Sequence, residues 1–433
     1  MLFHRQSGWR GTHWMAVLTA AALFVAGLVA TAATTAWAAT TLKFASLSEP
    51  YPEYFQVLIE DFRRENPDIE IQVEGIPFNR YFDVIEARLT AGSTEPDVFW
   101  VDVPLVASYS ARGFLYPLEE FVTPEQIAAF TPAAAEAGMY EGRLMAIPLQ
   151  SSSQLLYYNA DMFRAAGLPL PSSDPEQRLT WAEVVELARK LTGSGQWGFS
   201  FEQVDRPYQL LPLPQSLGGE SADPTGTQVV GYIDSPAWVR AATFYRDLYH
   251  TWQVSPPGVI YPQTTDLFEA GRLGMLLGTE LQVKRFQQNV TFEWGIAPHP
   301  YFADGEPVTP TGSWYIGINK NSPNLEAAGR WVSYLASERA GRLWYQLSGR
   351  LPVHQSVVDQ MEALATTDIE RLAARLVGYQ ELHTARPRPT LVGYREWEDA
   401  LYRAFADIRN GADPAATLQA TARRLQGLLA RYR

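Results

Sequence analysis

A chain of 433 residues that is 46% hydrophobic and 19% charged is longer than one hydrophobic core usually supports and too apolar to be disordered, so two lobes are expected. With no cysteine, it has no disulfides, thiolate zinc sites, iron–sulfur clusters, cysteine nucleophile or lipoprotein anchor. A net charge of -12, from 35 basic and 47 acidic side chains, disfavours nucleic acid and anionic membranes, and no basic patch offsets it.

The chain opens with Arg5 and Arg10, then an apolar stretch from Trp14 to Ala36 that closes on Ala36-Trp37-Ala38. A basic start, an apolar run and a small-x-small exit describe a signal peptide over residues 1–38, with the exported chain starting near Ala39; a membrane anchor is the alternative. Later apolar runs are soon broken by charge, so no spanning segment is expected.

Thr41 to Ser46 alternates as a strand. Glu53 to Asn66 carries Phe55, Leu58, Ile59 and Phe62 at helical spacing and is stopped by Asn66-Pro67. A strand over Ile69 to Gly75 and a helix over Tyr81 to Gly92 follow, and then the continuous apolar run Val98 to Val101, as in a strand buried on both faces. This α/β rhythm implies parallel strands with a ligand crevice beyond their carboxyl ends, in the loops Leu47 to Pro52 and Asp102 to Leu105. Further on, strands are expected at Ala146 to Leu149, Leu155 to Asn159, Trp197 to Phe201, Leu273 to Leu277, Trp294 to Pro298 and Trp314 to Ile318. Thr180 with Glu183 reads as a capping box for a helix to Leu191, and Ser235-Pro236 opens another to Tyr249. The Gly- and Pro-rich stretch from Ser216 to Asp234 reads as an irregular loop, Asn324 to Leu335 as a helix, and the tail from Ile369 as mostly helical.

Six motifs stand in order: Asp97-Val98-Phe99-Trp100-Val101-Asp102; Gly113-Phe114-Leu115-Tyr116-Pro117-Leu118; Ile147-Pro148 with Leu156-Tyr157-Tyr158-Asn159-Ala160-Asp161; Gly271-Arg272-Leu273-Gly274-Met275; Gly295-Ile296-Ala297-Pro298; and Gly312-Ser313-Trp314 with Gly317-Ile318. Together they resemble the family 1 extracellular solute-binding proteins of ABC transporters, relatives of the maltose-binding protein, over essentially the whole exported chain. The resemblance implies a two-lobed α/β fold of the type II periplasmic-binding-protein kind, with a sugar cleft between lobes joined by three crossings. It also implies delivery to a membrane permease. The crossings would fall near Leu149 to Ser151, Ala297 to Pro300 and Gly349 to Leu351. Lobe one is then 40–149 plus 299–350, and lobe two 150–298 plus 351–433.

A neutral sugar needs hydrogen-bonding partners for its hydroxyls and flat rings for its C–H faces. Glu49, Tyr51 and Asp102 follow strands at the expected crevice, as acceptors and a packing ring; a solvated turn, or for Asp102 a helix N-cap, is the plainer reading. Gln150 and Ser151 stand at the first crossing, which faces the cleft in the family. Tyr208, after Pro207, matches a sugar-stacking tyrosine of the maltose-binding protein. Glu280 stands where relatives often have a stacking tryptophan, so it departs from the pattern and offers an acceptor instead. Trp314 gives the largest apolar face, beside Ser313 and a glycine that permits close approach, with a core strand position as the alternative. Arg350, at the third crossing, would donate to hydroxyls or lock the hinge. Tyr394, Trp397, Trp181, Trp238, Trp331 and Trp344 read as core.

No G-x-S-x-G, H-E-x-x-H, P-loop or G-x-G-x-x-G pattern is found, so no cofactor and no catalytic centre are expected. The alternatives are the same fold holding a polyol or glycerol phosphate ester and, more distantly, a secreted glycoside hydrolase. A monomer is expected.

Overall fold

The computed structural model describes residues 39–432 except 49, 194 and 313; the signal segment 1–38 and the candidates Glu49 and Ser313 therefore lie outside the described residues. Residues Thr41–Arg433 form one compact unit.

The chain starts as expected, with β1 (Thr40–Leu47), then α1 (Tyr51–Arg63), β2 (Ile69–Ile76), α2 (Phe78–Thr90) and β3 (Val98–Asp102). Helix α1 begins at Tyr51 rather than Glu53, because Pro52 fits the first helical turn, where its missing N–H costs nothing. Its buried side chains, Tyr51, Phe55, Leu58, Ile59 and Phe62, recur at three and four residues and form one face. Every residue of β3 is buried, as its unbroken apolar run implied.

Next come β4 (Leu115–Tyr116), β5 (Ile147–Pro148), β6 (Gln154–Asn159), α3 (Trp181–Leu191), β7 (Trp197–Phe201), α4 (Pro236–Tyr249), β8 (Leu273–Thr279), β9 (Trp294–Ala297) and β10 (Trp314–Asn319). Thr180 and Glu183 form the expected capping box on α3. The tail adds α5 (Leu325–Leu335), α6 (Glu338–Ser348), α7 (Asp368–His383), α8 (Tyr394–Arg409) and α9 (Pro414–Leu429).

Two sheets organise these elements. The first has six strands in the order β2-β1-β3-β10-β4, with β5 also paired to β10, and the second has four in the order β9-β6-β8-β7. In the first, β1 and β3 run parallel while β10 lies antiparallel to β3, placing Trp314 opposite Asp102. In the second, β8 runs parallel to β7 and antiparallel to β6. The chain leaves the first sheet after Pro148, joins the second at Gln154, and returns between Ala297 and Trp314. Burial anchors the first sheet through an aromatic cluster: Trp100 contacts Tyr51 at 4.8 Å, Trp314 at 5.3 Å, Phe55 at 5.8 Å and Trp344 at 5.9 Å between ring centroids. Each such buried side chain contributes roughly 1.5–3 kcal/mol. Trp181, Trp238, Trp331, Trp344, Tyr394 and Trp397 are all buried, as read from their spacing.

Candidate functional site

The carboxyl ends of β1 and β3 deliver Tyr51 and Asp102, as a parallel sheet dictates, but both side chains are buried and engaged. The Tyr51 ring stacks on Trp344 at 6.0 Å and 12°. Its hydroxyl accepts a hydrogen bond from Arg350 Nη2 at 2.6 Å. Gly349, at φ 71°, ends α6 in the left-handed conformation that glycine adopts without strain, and Arg350 follows directly. The other arm of Arg350, Nη1, lies 3.4 Å from Glu280 Oε1. Glu280 follows β8, and its Oε2 accepts the backbone N–H of Ser153 at 3.0 Å. One guanidinium therefore bridges the residue that opens the helix after β1 of the first sheet and the residue that follows β8 of the second. Burial pushes the Glu280 carboxyl above its usual range, with Arg350 opposing. Burial alone would lower Arg350, but the facing Tyr51 and Glu280 hold it above its ordinary value. Glu280 also lines a cavity of about 360 Å³ with Lys284, Gly349 and Leu351.

Asp102 is held by Arg388, which donates from Nη1 at 2.6 Å and from Nη2 to the other carboxylate oxygen. It does not cap the following helix, whose N-cap is Pro104 without a side-chain bond. The Arg388 guanidinium lies 5.2 Å from the centre of the Tyr208 ring, and Nη1 also reaches the Tyr394 hydroxyl at 3.3 Å. Tyr208 sits in the short helix Pro207–Leu210, and its hydroxyl pairs with Ser152 Oγ at 2.8 Å. Ser152 in turn donates to the Gly312 carbonyl at 2.7 Å. A Cβ at Gly312 would stand 3.0 Å from Arg388 Nη2 and 3.3 Å from the Tyr208 ring, so glycine is what admits both.

Gln150 Oε1 accepts from Trp344 Nε1 at 2.9 Å, while its Nε2 is enclosed without a partner. The Ser151 hydroxyl stands 3.2 Å from that of Thr311. Trp314 is half-buried, stacked on Phe82 at 5.7 Å and 21° and set edge-on to Tyr81. It joins the aromatic cluster of the first sheet while keeping part of its surface open.

Thus the candidates form a web of two bonded groups, Tyr51–Arg350–Glu280 and Asp102–Arg388–Tyr208, linked by the segment 150–153 through the Ser152 hydroxyl on Tyr208 and the Ser153 N–H on Glu280, with Gln150 and Ser151 on that segment and Trp314 beside it. The sequence places Ser152 at the first crossing with Gln150 and Ser151, but it offers no role for Arg388, Thr311 or Glu381. The one local signal for Arg388 was its place between two prolines, Pro387 and Pro389, in a tail read as helical. Among the described residues, no group of three or more His, Asp or Glu side chains could hold a metal ion, and no helix is long and apolar enough to cross a membrane.

Residues 45–342 match the family described as bacterial extracellular solute-binding protein, and the chain belongs to that family. It is 24% identical over 351 residues to the sn-glycerol-3-phosphate-binding periplasmic protein UgpB of Escherichia coli K12, covering 75% of this chain and 76% of UgpB. Among solved structures it resembles the ABC substrate-binding protein Lmo0181 from Listeria monocytogenes in complex with cycloalternan, with a TM-score of 0.81, 22% identity, and coverage of 90% and 99% of the two chains. It also resembles maltose-bound MalE3 of T. maritima, with a TM-score of 0.77, 25% identity, and coverage of 90% and 100%. The chain therefore has the two-lobed type II fold and is a bacterial extracellular solute-binding protein.

Proposed function

We propose that the protein captures a neutral di- or oligosaccharide by closing its two lobes and hands it to the permease. The observation that carries this reading is the charge balance of the web: each of its two bridging carboxylates, Asp102 and Glu280, faces its own arginine. With both arginines already paired, the web offers donors, acceptors and rings but no spare cation for a phosphate to seek, which suits hydroxyls and C–H faces. Lmo0181 and MalE3, whose solved complexes hold cycloalternan and maltose, support it as structural likenesses.

In this reading lobe one is 40–149 plus 299–350 and lobe two 150–298 plus 351–433, with the ligand set Glu49, Tyr51, Asp102, Gln150, Ser151, Tyr208, Glu280, Ser313, Trp314 and Arg350. Closure moves few residues because only the crossings absorb the φ/ψ change. The arginine bridges give way to solute hydroxyls, and the solute shifts the equilibrium by the contacts it makes in the closed form alone. The protein is exported by cleavage after Ala38 and acts as a monomer.

A glycerol phosphate ester is the second reading. It is favoured by the likeness to UgpB and by the enclosed, unpartnered Nε of both Arg350 and Arg388. A thermal-shift screen of the purified protein against maltose, maltotriose, trehalose, glycerol 3-phosphate and glycerophosphocholine separates the two, because a ligand that binds only the folded state raises the melting temperature. A rise with a saccharide supports the first reading, and a rise confined to the phosphate esters replaces it.

A further inference from the structure

Glu381 belongs to no candidate set read from the sequence, yet its carboxyl joins segments far apart in the chain. It lies near the C-terminal end of α7. Its Oε1 accepts the Thr311 hydroxyl at 3.1 Å and stands 3.5 Å from that of Ser151. Ser151 is in the link between β5 and β6, and its backbone N–H donates to the Leu351 carbonyl at 2.8 Å, where α6 gives way to the tail. Thr311 is in the returning link before β10, and its N–H donates to the Arg386 carbonyl at 3.2 Å. One carboxyl thus touches both links between the sheets and, through their backbone bonds, the tail as well.

Its other oxygen, Oε2, is enclosed and has no hydrogen-bond partner. An acid in that position is poorly solvated as an anion, since burial penalises the charged form and no donor compensates. Burial pushes the carboxyl up to about 7, and Glu280 adds in the same direction against the Thr311 and Ser151 hydroxyls. Of the other titratable groups around it, Tyr315 on β10 lies within its field, and Tyr379 and His383 share its helix, their rings 4.4 Å apart and tilted by 43°.

We propose that Glu381 is a positioning residue for solute capture: as a neutral carboxyl it ties the two links and the tail into the closed arrangement, and its ionisation loosens them and favours the open form. This rests on the reading that capture proceeds by lobe closure. The proton balance is simple. Closing encloses the carboxyl and takes up one proton from solvent, and opening hydrates the carboxyl and returns it.

The sign follows from linkage. A hydrated carboxyl ionises in the ordinary range near 4.3, whereas enclosed as it is in this structure Glu381 holds its proton to about 7; with this arrangement taken as the closed form, closing is favoured most at low pH. The advantage is lost as pH rises between those limits, by up to tenfold per unit, and levels off above 7.

Small-angle X-ray scattering of the ligand-free protein from pH 5 to 8 tests this with wild type, Glu381→Gln and Glu381→Asp. The radius of gyration of wild type is expected to grow as pH approaches 7 and then to level, Glu381→Asp to keep a pH response, and Glu381→Gln to stay at the compact value throughout. A wild-type radius independent of pH, or the same pH curve in wild type and Glu381→Gln, overturns the proposal. Should Glu381→Gln fail to fold, Thr311→Val decides: it removes the hydroxyl that favours the anion, so the midpoint moves to higher pH, and an unmoved midpoint overturns the proposal. Maltotriose titrated over the same range adds a second readout: its affinity falls with pH in wild type and is flat in Glu381→Gln. A protein that opens with pH but binds no saccharide removes the sugar reading and leaves this role of Glu381 standing. Saccharide binding with identical pH profiles in both proteins does the reverse.

Discussion

The aromatic cluster of the first sheet and the polar web at the crossings lie side by side, and they are held by different physics. Trp100, Phe55 and Trp344 form the cluster through rings whose removal from water is favourable in itself, and Tyr51 belongs to both regions, its ring in the cluster and its hydroxyl on Arg350. The web of Asp102, Glu280, Arg350 and Arg388 is favourable only as a set, because each buried charge is costly until its partner is in place. Damage to the cluster should therefore cost stability whatever is bound, whereas damage to the web should fall on closure and solute affinity as well.

The comparison breaks most visibly at the largest side chain. Trp100→Ala is expected to lose about 3–5 kcal/mol of stability in denaturant unfolding, by the same amount with and without solute. A loss that solute repairs would show that Trp100 belongs to the web instead. Next comes Arg388→Ala, which strands Asp102 as an unpaired buried charge and should cost about 3–5 kcal/mol, while the double variant Asp102→Leu with Arg388→Met recovers much of it. If the double variant is as unstable as the single one, the pair is not the unit described here.

Acid sharpens the same distinction near the second link. Burial holds His299 neutral, down to about 3, whereas an unfolded histidine protonates near 6.5. Stability from this group is thus full above 6.5 and is lost as pH falls from there towards 3, and His299→Asn should flatten that part of the melting profile. Equal acid slopes in both proteins would mean that the ring is hydrated in the folded state.

Trp314 straddles the two regions. Trp314→Ala is expected to weaken saccharide binding by about tenfold or more in calorimetry, a loss of 1.4 kcal/mol or above at roughly that factor, and to cost less stability than Trp100→Ala. Unchanged affinity would assign it to the cluster alone. At Gly312→Ala the new methyl presses on Arg388 and the Tyr208 ring, both held in place, and should cost about 1–3 kcal/mol in denaturant unfolding; no loss would show that Arg388 is free to move.

How much of this was legible beforehand differs by element. The strand Val98–Asp102 and the capping box at Thr180 announce themselves, because an apolar run and a spacing of three residues are local signals. Spacing alone starts α1 at Glu53, two residues past its actual start at Tyr51, since Pro52 reads as a turn residue in isolation and as a first-turn residue only once a helix follows. The candidate residues described by the structure do gather in one place, because the carboxyl ends of parallel strands and the crossings converge there by topology. Arg350, which joins Tyr51 to Glu280, was among those candidates, whereas Arg388, which holds Asp102, was not.

By itself, then, the sequence determined the order of strands and helices, the buried tryptophans and the family pattern, all of which rest on spacing within a few residues or motifs in order. Only the tertiary structure decided that Asp102 meets Arg388 across 286 positions and that Arg350 reaches Tyr51 across 299. The reason is that a buried charge takes whichever opposite charge or donor the packed fold carries to it, and that choice has no periodicity along the chain.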